Sequence, residues 1–337
     1  MATFNPELYS GNVITSRIRL ARNLKGNPFF VQDIAKANDI VKKVNRALVK
    51  CDTFNLYYMA KVDPLILESM KEQYLISQNL LENKSTGAVL INANQDLSIM
   101  INEEDIIREQ CFMRGLCLKE AYRRLDKIDD ALSKYLDIAF DKKHGYLTAC
   151  PSNMGTGLRA SVLMFLPALS KSGKIGELAE EVSKLGLTVR GAFGEGSEAE
   201  GFMYQISNEV TLGVTEQEII KLVEDTVIQI CVAERDEAEK IFGKKELTTM
   251  DRAKKSFGIL TNAVLLSYGE FLEHIAYVKI GSMMGLLPIK NSNELDDLIV
   301  SVRPAVLSLK YGKKLSVVDR DLFRAEVVGQ KLLKLKD

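Results

Sequence analysis

Up to about residue 240 the chain alternates strand-like and helix-like segments; beyond that point no convincing strand pattern occurs. The break follows a long helix opened by Thr215 and Glu218. That spacing is a capping box, in which each of the two residues satisfies an N–H of the first turn. Gly243-Lys244-Lys245 reads as a linker after it, and Val317 to Leu335 as a closing amphipathic helix. At 337 residues two domains are expected: a mixed, catalytic-type domain over 1–240 and an all-helical domain over 241–337.

Within the first part, Ile34, Ile40, Val41, Val44 and Leu48 recur at helical spacing over 33–50. Residues 88–92 and 97–101 flank Ala93-Asn94-Gln95-Asp96 and read as an antiparallel hairpin. Helices are expected over 104–112 and 118–138, the second with an apolar stripe from Leu118 to Leu136. A short strand near 145–149 leads to the loop Pro151–Gly157 and then to an apolar helix over 159–169. A helix over 176–185 and strands near 187–192 and 202–207 follow.

The 45 basic residues balance the 45 acidic ones, which excludes nucleic-acid binding through bulk positive charge. No run of 18 apolar residues is present, so no membrane span is read, and the first residues lack the pattern of a secretory signal. Five cysteines without a CxxC pair point to a reduced, cytoplasmic setting. With only His144 and His274, no metal site or His-based triad is expected. Only 15 of the basic residues are Arg. Arg is the side chain suited to a planar, bidentate grip on phosphate, so its placement is informative.

Four stretches carry candidate chemistry. In Thr15–Arg22, Arg17 and Arg19 would share one face if the segment is a strand, a pair suited to a polyanion; a solvated edge strand fits the spacing equally well. In Asn102–Arg108, three acids either favour a helix N-terminus or include a carboxylate aimed at a cationic substrate, with Arg108 reaching a phosphate. In Cys150–Ser161, a Gly-Thr-Gly loop ahead of a helix would offer N–H groups to an anion, and Cys150 is either a reactive thiol or an inert one. No Gly-Lys-Ser/Thr follows, so it is not a Walker A loop. Arg190–Gly201 is a glycine-rich loop able to fold closely over phosphates. Together these features suggest phosphoryl transfer to or from a cation.

In this order the four stretches resemble the phosphagen (guanidino) kinase family, over roughly residues 15–213. Two features resemble its bacterial protein-arginine kinase branch. The first Arg motif begins at residue 16, with no helical domain ahead of it, and Arg320-Asp321-Leu322-Phe323-Arg324-Ala325 matches an RDxxRA phosphoarginine motif. In isolation that hexapeptide would read as solvated i,i+4 charge. The resemblance implies an α+β fold: an antiparallel sheet flanked by helices, then a helical domain.

It also implies ATP and Mg²⁺ as cofactors, with Arg17, Arg19, Arg108, Arg159 and Arg190 around the phosphates. Ser16, Ile18, Leu20, Tyr74, Ala160, Ser161, Val162, Leu163, Gly191, Ala192, Phe193, Gly194 and Glu195 would complete the nucleotide site. Glu104 and Glu198 would hold the acceptor guanidinium, with Cys150 close by. Arg320, Asp321, Arg324 and Ala325 would form an allosteric phosphoarginine site. Implied partners are proteins with exposed arginines (a heat-shock repressor among them), a zinc-binding activator, a Clp protease and a second copy of the chain.

Three positions depart from the family pattern: Ile106 stands where a His is usual, Phe193 where small-guanidine kinases have an Arg, and Tyr74 where the branch has a His. Two alternatives stay open. One is a kinase for free arginine or another small guanidine. The other is a catalytically silent phosphoarginine-binding adaptor, motivated by Ile106 and Tyr74.

Overall fold

β1 (Val13–Arg22) shows how the sequence divides the molecule into two faces. Ser16, Ile18, Leu20 and Arg22 alternate with Arg17 and Arg19, and the first set is almost completely buried. The computed structural model describes residues 11–191, 200–289 and 291–336. The other strands are β2 (Phe54–Tyr58), β3 (Ala88–Asn92), β4 (Leu97–Ile101), β5 (Ile107–Arg114), β6 (Phe140–Asp141), β7 (Gly145–Tyr146), β8 (Leu158–Phe165), β9 (Leu187–Gly191) and β10 (Met203–Asn208). Eight of them form one antiparallel sheet in the order β2-β3-β4-β5-β1-β8-β10-β9, while β6 and β7 make a separate hairpin.

Two expected helices are strands. Residues 107–114 form β5 rather than a helix over 104–112, and 158–165 form β8 rather than a helix over 159–169. Both lie centrally in the sheet, but β5 carries polar residues on both faces (Arg108 and Gln110 on one, Glu109 on the other) and β8 ends in the apolar run Val162–Phe165, so neither shows the period-two signature. The Pro151–Gly157 loop opens with a single 3₁₀ turn, Pro151–Asn153, that starts directly after Cys150, and it leads into a strand rather than an α-helix.

The catalytic part carries α1 (Ile34–Leu48), α2 (Pro64–Glu72), α3 (Gln78–Glu82), α4 (Leu118–Tyr135), α5 (Pro167–Lys171), α6 (Ile175–Lys184) and α7 (Glu216–Ile241). The capping box opens α7: Glu218 N–H donates to the Thr215 hydroxyl (3.2 Å) and Thr215 N–H to the Glu218 carboxylate (2.8 Å). One sheet face packs on α4 and α7 through Ile18, Leu20, Ala160 and Val162, and on α1 through Leu90, Ile99 and Ile107. Each Ile, Leu or Val among them contributes about 1.5–3 kcal/mol on burial.

The opposite face is covered only at its ends. Val89 and Met100 meet α2 and α3 at one end, while Phe165 and Met203 join the helical core at the other. A cleft remains between them, with the Arg side of β1 as its floor.

A single helical turn, Gly243–Lys245, separates α7 from α8 (Glu246–Asn262). It is followed by α9 (Tyr268–Met283), α10 (Asn293–Ser301), α11 (Pro304–Lys310) and α12 (Val317–Leu335). Their core includes Phe165 and Met203 from the sheet, so the helical part is built onto the sheet rather than tethered to it. Lys279 and Asp296 form a buried ion pair (2.6 Å), with the ammonium 4.7 Å from the Phe165 ring. Among the described residues no helix is long and apolar enough to cross a membrane.

Candidate active site

Strand register gathers the arginines. Directly opposed residues of an antiparallel sheet share a face. Arg19 lies opposite Arg159 on β8 and Gln110 on β5, while Arg17 lies opposite Ser161 and Phe112. Arg108 is two residues before Gln110, and Arg190 faces Gln205, which is itself opposite Leu163. Arg17, Arg19, Arg108, Arg159 and Arg190 therefore emerge on one side of the sheet.

These cations have few internal anions. Arg17 donates to Gln110 Oε1 and stacks over Phe112 (4.9 Å); Arg159 donates to the Ser207 hydroxyl (3.0 Å). The Nε atoms of Arg17, Arg19 and Arg159 are buried without a hydrogen-bond partner. Burial, then Arg108, pulls the Arg17 guanidinium down to about 10, and burial and Arg17 pull Arg19 well below its ordinary range. Burial and Arg190 lower Arg159. Crowded guanidinium groups with unmet N–H donors are a site built for a polyanion. Arg190, at the cleft edge, is exposed and 3.9 Å from Glu209.

The acidic turn joins β4 to β5 rather than opening a helix. Asn102 adopts φ 59, and its side chain exchanges hydrogen bonds with the N–H and C=O of Val31 (both 2.8 Å). The three acids take different roles. Glu103 is buried, accepts from the Ser77 hydroxyl (2.6 Å) and pairs with Arg108 (3.0 Å). Asp105 is buried and accepts from Asn23 (2.6 Å) and Ala149 N–H (2.7 Å). Glu104 alone is partly exposed, 36% on its side chain, and pairs with Arg108 at 2.8 Å. Ile106 is fully buried in the α1 core, so the departure there is a packing residue.

Other expected residues sort by face. Ser161 shares the Arg17 row and Leu163 lies one row further along. Ile18, Leu20, Ala160 and Val162 point the other way, into the core beneath α4 and α7. Ser16 also sits on that face, where its hydroxyl donates to Gly115 O (2.7 Å) and accepts from Cys117 N–H (2.9 Å). Arg22 belongs to the same buried side and holds Asp129 (2.8 Å).

The Gly-Thr-Gly loop is not an anion cradle. Its amides at Asn153, Met154, Gly155, Thr156 and Leu158 donate within the protein. Gly155 (φ 108) and Gly157 (φ 63) are required because a Cβ would strike Thr211 O at 2.2 Å and Arg22 Nη1 at 2.6 Å. Cys150 is partly buried, with Sγ 3.0 Å from the Ser152 hydroxyl. Gly191 ends β9; Ala192, Phe193, Gly194, Glu195 and Glu198 lie outside the described residues.

Beside Arg17 a cavity of about 260 Å³ continues the cleft, walled by Tyr74, Phe112, Leu163 and Met203, and by Ile299 and Arg303 of the helical part. On α12, Arg324 is buried and donates to Val302 O (3.1 Å), Leu266 O (2.8 Å) and Asp321 (2.7 Å). Ala325 is buried beside it, while Arg320 and Asp321 are partly exposed.

Residues 36–237 match the model of the ATP:guanido phosphotransferase C-terminal catalytic domain. The chain belongs to the ATP:guanido phosphotransferase family. Residues 246–337 match a second family model, the protein-arginine kinase McsB C-terminal domain. A protein-arginine kinase of Caldanaerobacter subterraneus subsp. tengcongensis is 42% identical over 328 residues, covering 96% of this chain and 97% of that relative. One from Halothermothrix orenii is 43% identical, covering 95% and 93%. Among solved structures, lombricine kinase superposes with a TM-score of 0.58 at 26% identity, covering 69% of this chain and 67% of the other. The duplicated taurocyamine kinase of Schistosoma mansoni gives 0.62 at 26% identity, covering 72% and 36%.

Family members use ATP, and the arginine-lined cleft floor suits its phosphates. Four residues at the site escape the sequence reading: Glu103, Gln110, Phe112 and Ser207. Reading 107–114 as a strand would have placed Gln110 and Phe112 on the face of Arg108, and Ser207 shares the face of Gln205 in the strand expected near 202–207.

Proposed function

We propose that this enzyme transfers the γ-phosphoryl group of ATP to the guanidinium of arginine residues in proteins. The carrying observation is the single sheet face on which five arginines converge, with partly exposed Glu104 at its edge. Protein arginine, rather than free arginine, is favoured as acceptor by the helical domain matched over 246–337. That domain also weighs against the small-guanidine alternative.

In this reading the phosphates lie along Arg17, Arg19, Arg108, Arg159 and Arg190, and the base enters the cavity beside Tyr74 and Leu163. Mg²⁺ would be held chiefly by the nucleotide's phosphates, where it would neutralise part of their charge. A guanidinium is protonated at neutral pH and is a poor nucleophile. Glu104 orients it and accepts a proton as the N–P bond forms and the γ-phosphoryl bond to the leaving ADP oxygen breaks. Glu198 is the proposed second carboxylate, with Cys150 nearby. The arginines neutralise charge that spreads over the transferring group.

The proposal extends to a cytoplasmic homodimer regulated by phosphoarginine at Arg320, Asp321, Arg324 and Ala325. Exposed Val264, Leu265, Val317 and Leu322, drawn together by the hydrogen bond from Leu266 N–H to Asp321 O, support an interface there. Stress-linked partners are proposed by resemblance alone: a repressor substrate, a zinc-binding activator and a Clp protease that degrades marked proteins.

The test is incubation with Mg-ATP and a basic protein, followed by mass spectrometry under neutral conditions for acid-labile phosphoarginine. Labelling that Glu104→Ala abolishes is expected. Absence of labelling by the wild type, or preferential turnover of free arginine, refutes the reading.

A further inference from the structure

We infer that Arg303, a residue of the helical domain, is a positioning residue for the nucleotide site and acts through Tyr74 and Gln110 on Arg17. The inference rests on the nucleotide reading above and deepens it, because it makes the second domain part of the ATP site.

The geometry begins at the end of α2. Arg303 Nη2 donates to the Tyr74 hydroxyl (2.8 Å), Nη1 donates to the carbonyl of Glu72, and the guanidinium lies 4.7 Å from the Tyr74 ring centre. The Glu72 carboxylate in turn accepts the N–H groups of Ala305 (2.8 Å) and Val306 (3.0 Å), which open α11. The end of α2 and the start of α11 are thus clamped from both sides.

Between the clamped residues and β3, Tyr74 adopts φ 60, a conformation that side chains larger than glycine rarely take without such support. In that conformation its carbonyl, together with that of Leu75, accepts from Gln110 Nε2 (2.8 and 3.1 Å). Two carbonyl acceptors can be satisfied only by the NH₂ end of the amide, so Gln110 Oε1 is forced to face Arg17. Oε1 accepts from Arg17 Nη2, and among the described residues Arg17 has no ion-pair partner. The amide is therefore what aims this guanidinium within the cleft. Arg17, Tyr74 and Arg303 all line the same cavity, so the base and the phosphate tail would meet the two ends of one hydrogen-bonded chain.

Sequence separation hides this device. Arg303 and Tyr74 are 229 positions apart, and Arg17 and Gln110 are 93 apart. A structural brace alone would affect stability, whereas a positioning role must appear in ATP affinity.

The test measures Mg-ATP binding with a fluorescent analogue, together with KM and kcat for a protein acceptor, on the full-length chain. Arg303→Ala is expected to raise KM for ATP about tenfold, with kcat at saturating ATP changed by less than about threefold and acceptor KM unchanged. Arg303→Lys, which retains a donor for the Tyr74 hydroxyl, should recover part of the loss. Gln110→Ala should raise KM similarly, and the double variant should be no worse than either single one.

Multiplicative effects in the double variant, or an unchanged ATP KM in folded Arg303→Ala, would overturn the inference. If Arg303→Ala fails to fold, Tyr74→Phe replaces it, since only a hydroxyl is lost. A rise of about threefold in ATP KM at an unchanged melting temperature supports the inference, and no rise overturns it. A wild-type chain that binds no Mg-ATP overturns the functional reading itself. Wild-type binding without coupling overturns only this inference.

Discussion

Glu103, with no exposed side-chain surface, lies 3.0 Å from Nη1 of Arg108 and holds it from the protein side of the cleft. Glu104 holds the other terminal nitrogen at 2.8 Å from the solvent side. Adjacent residues of the same type therefore differ in access: Glu103 is closed off inside the protein, while Glu104 reaches solvent.

The two carboxylates should respond differently to amide substitution. Glu104→Gln should lower kcat by about 10²-fold or more, through loss of a proton acceptor. Its loss of stability should stay at about 1 kcal/mol, because solvent reaches the Glu104 side of the pair and Glu103 still holds Arg108. Glu103→Gln should cost about 3 kcal/mol, because Arg108 would lose its buried counter-charge. Thermal melts and arginine-labelling rates of both variants check the contrast. A Glu103→Gln melting temperature equal to wild type would contradict it.

The cationic floor has a cost to the stability of the ligand-free chain. Arg19 is half-buried beside Arg17, Arg108 and Arg159, and desolvation and these like charges disfavour its charged form. Arg19→Met should leave the ligand-free melting temperature unchanged or raise it, by up to about 2 kcal/mol in stability terms. The same variant should lose most of the melting-temperature increase that Mg-ATP gives wild type. A clearly destabilised ligand-free variant would show that the charge is better compensated than its surroundings indicate.

Much of this architecture is legible in the sequence, and the exceptions have physical causes. The Arg17/Arg19 alternation, the Thr215–Glu218 cap and the final helix follow from local rules, and the structure bears them out. Strands β5 and β8 do not: β5 puts polar residues on both faces, Arg108 and Gln110 on one and Glu109 on the other, and β8 ends in the unbroken apolar run Val162–Phe165, so neither alternates. Helix α2 and strand β2 lie in a stretch with no pattern strong enough to assign. At the site, residue types led to the arginines, but only register separates Ser161 from Ala160 or Arg17 from Ile18 as cleft-facing. Contacts such as Arg303 with Tyr74 lie beyond any local reading.

Stability should fall with rising pH through one buried acid. Glu234 on α7 accepts the N–H groups of Ala168 (2.7 Å) and Leu169 (2.9 Å), which open α5, but burial outweighs these bonds and raises its carboxyl to about 7. A raised folded-state value means that the proton binds more tightly in the folded chain. The contribution is therefore complete below the unfolded value near pH 4.5 and disappears as pH rises through about 7. Its size is up to about 3 kcal/mol. Neighbouring Glu237 is held low by its hydrogen bond from Lys174, so it titrates below this window. Urea midpoints at pH 5 and pH 8 should differ more for wild type than for Glu234→Gln. Equal differences would remove Glu234 as the source.

The two arginines of the α12 motif should separate structure from regulation. Arg324 is committed to two backbone carbonyls and to Asp321, and one of those carbonyls, Val302, immediately precedes Arg303. Arg324→Ala would leave both carbonyls without this donor, at about 3 kcal/mol, and should lower the melting temperature whatever ligand is present. Arg320 is only partly buried, and its guanidinium forms no hydrogen bond or ion pair among the described residues. Arg320→Ala should therefore melt like wild type yet lose its kinetic response to added phosphoarginine. Melting curves combined with labelling rates, with and without phosphoarginine, read both effects. A full response in Arg320→Ala would move the regulatory site away from this helix.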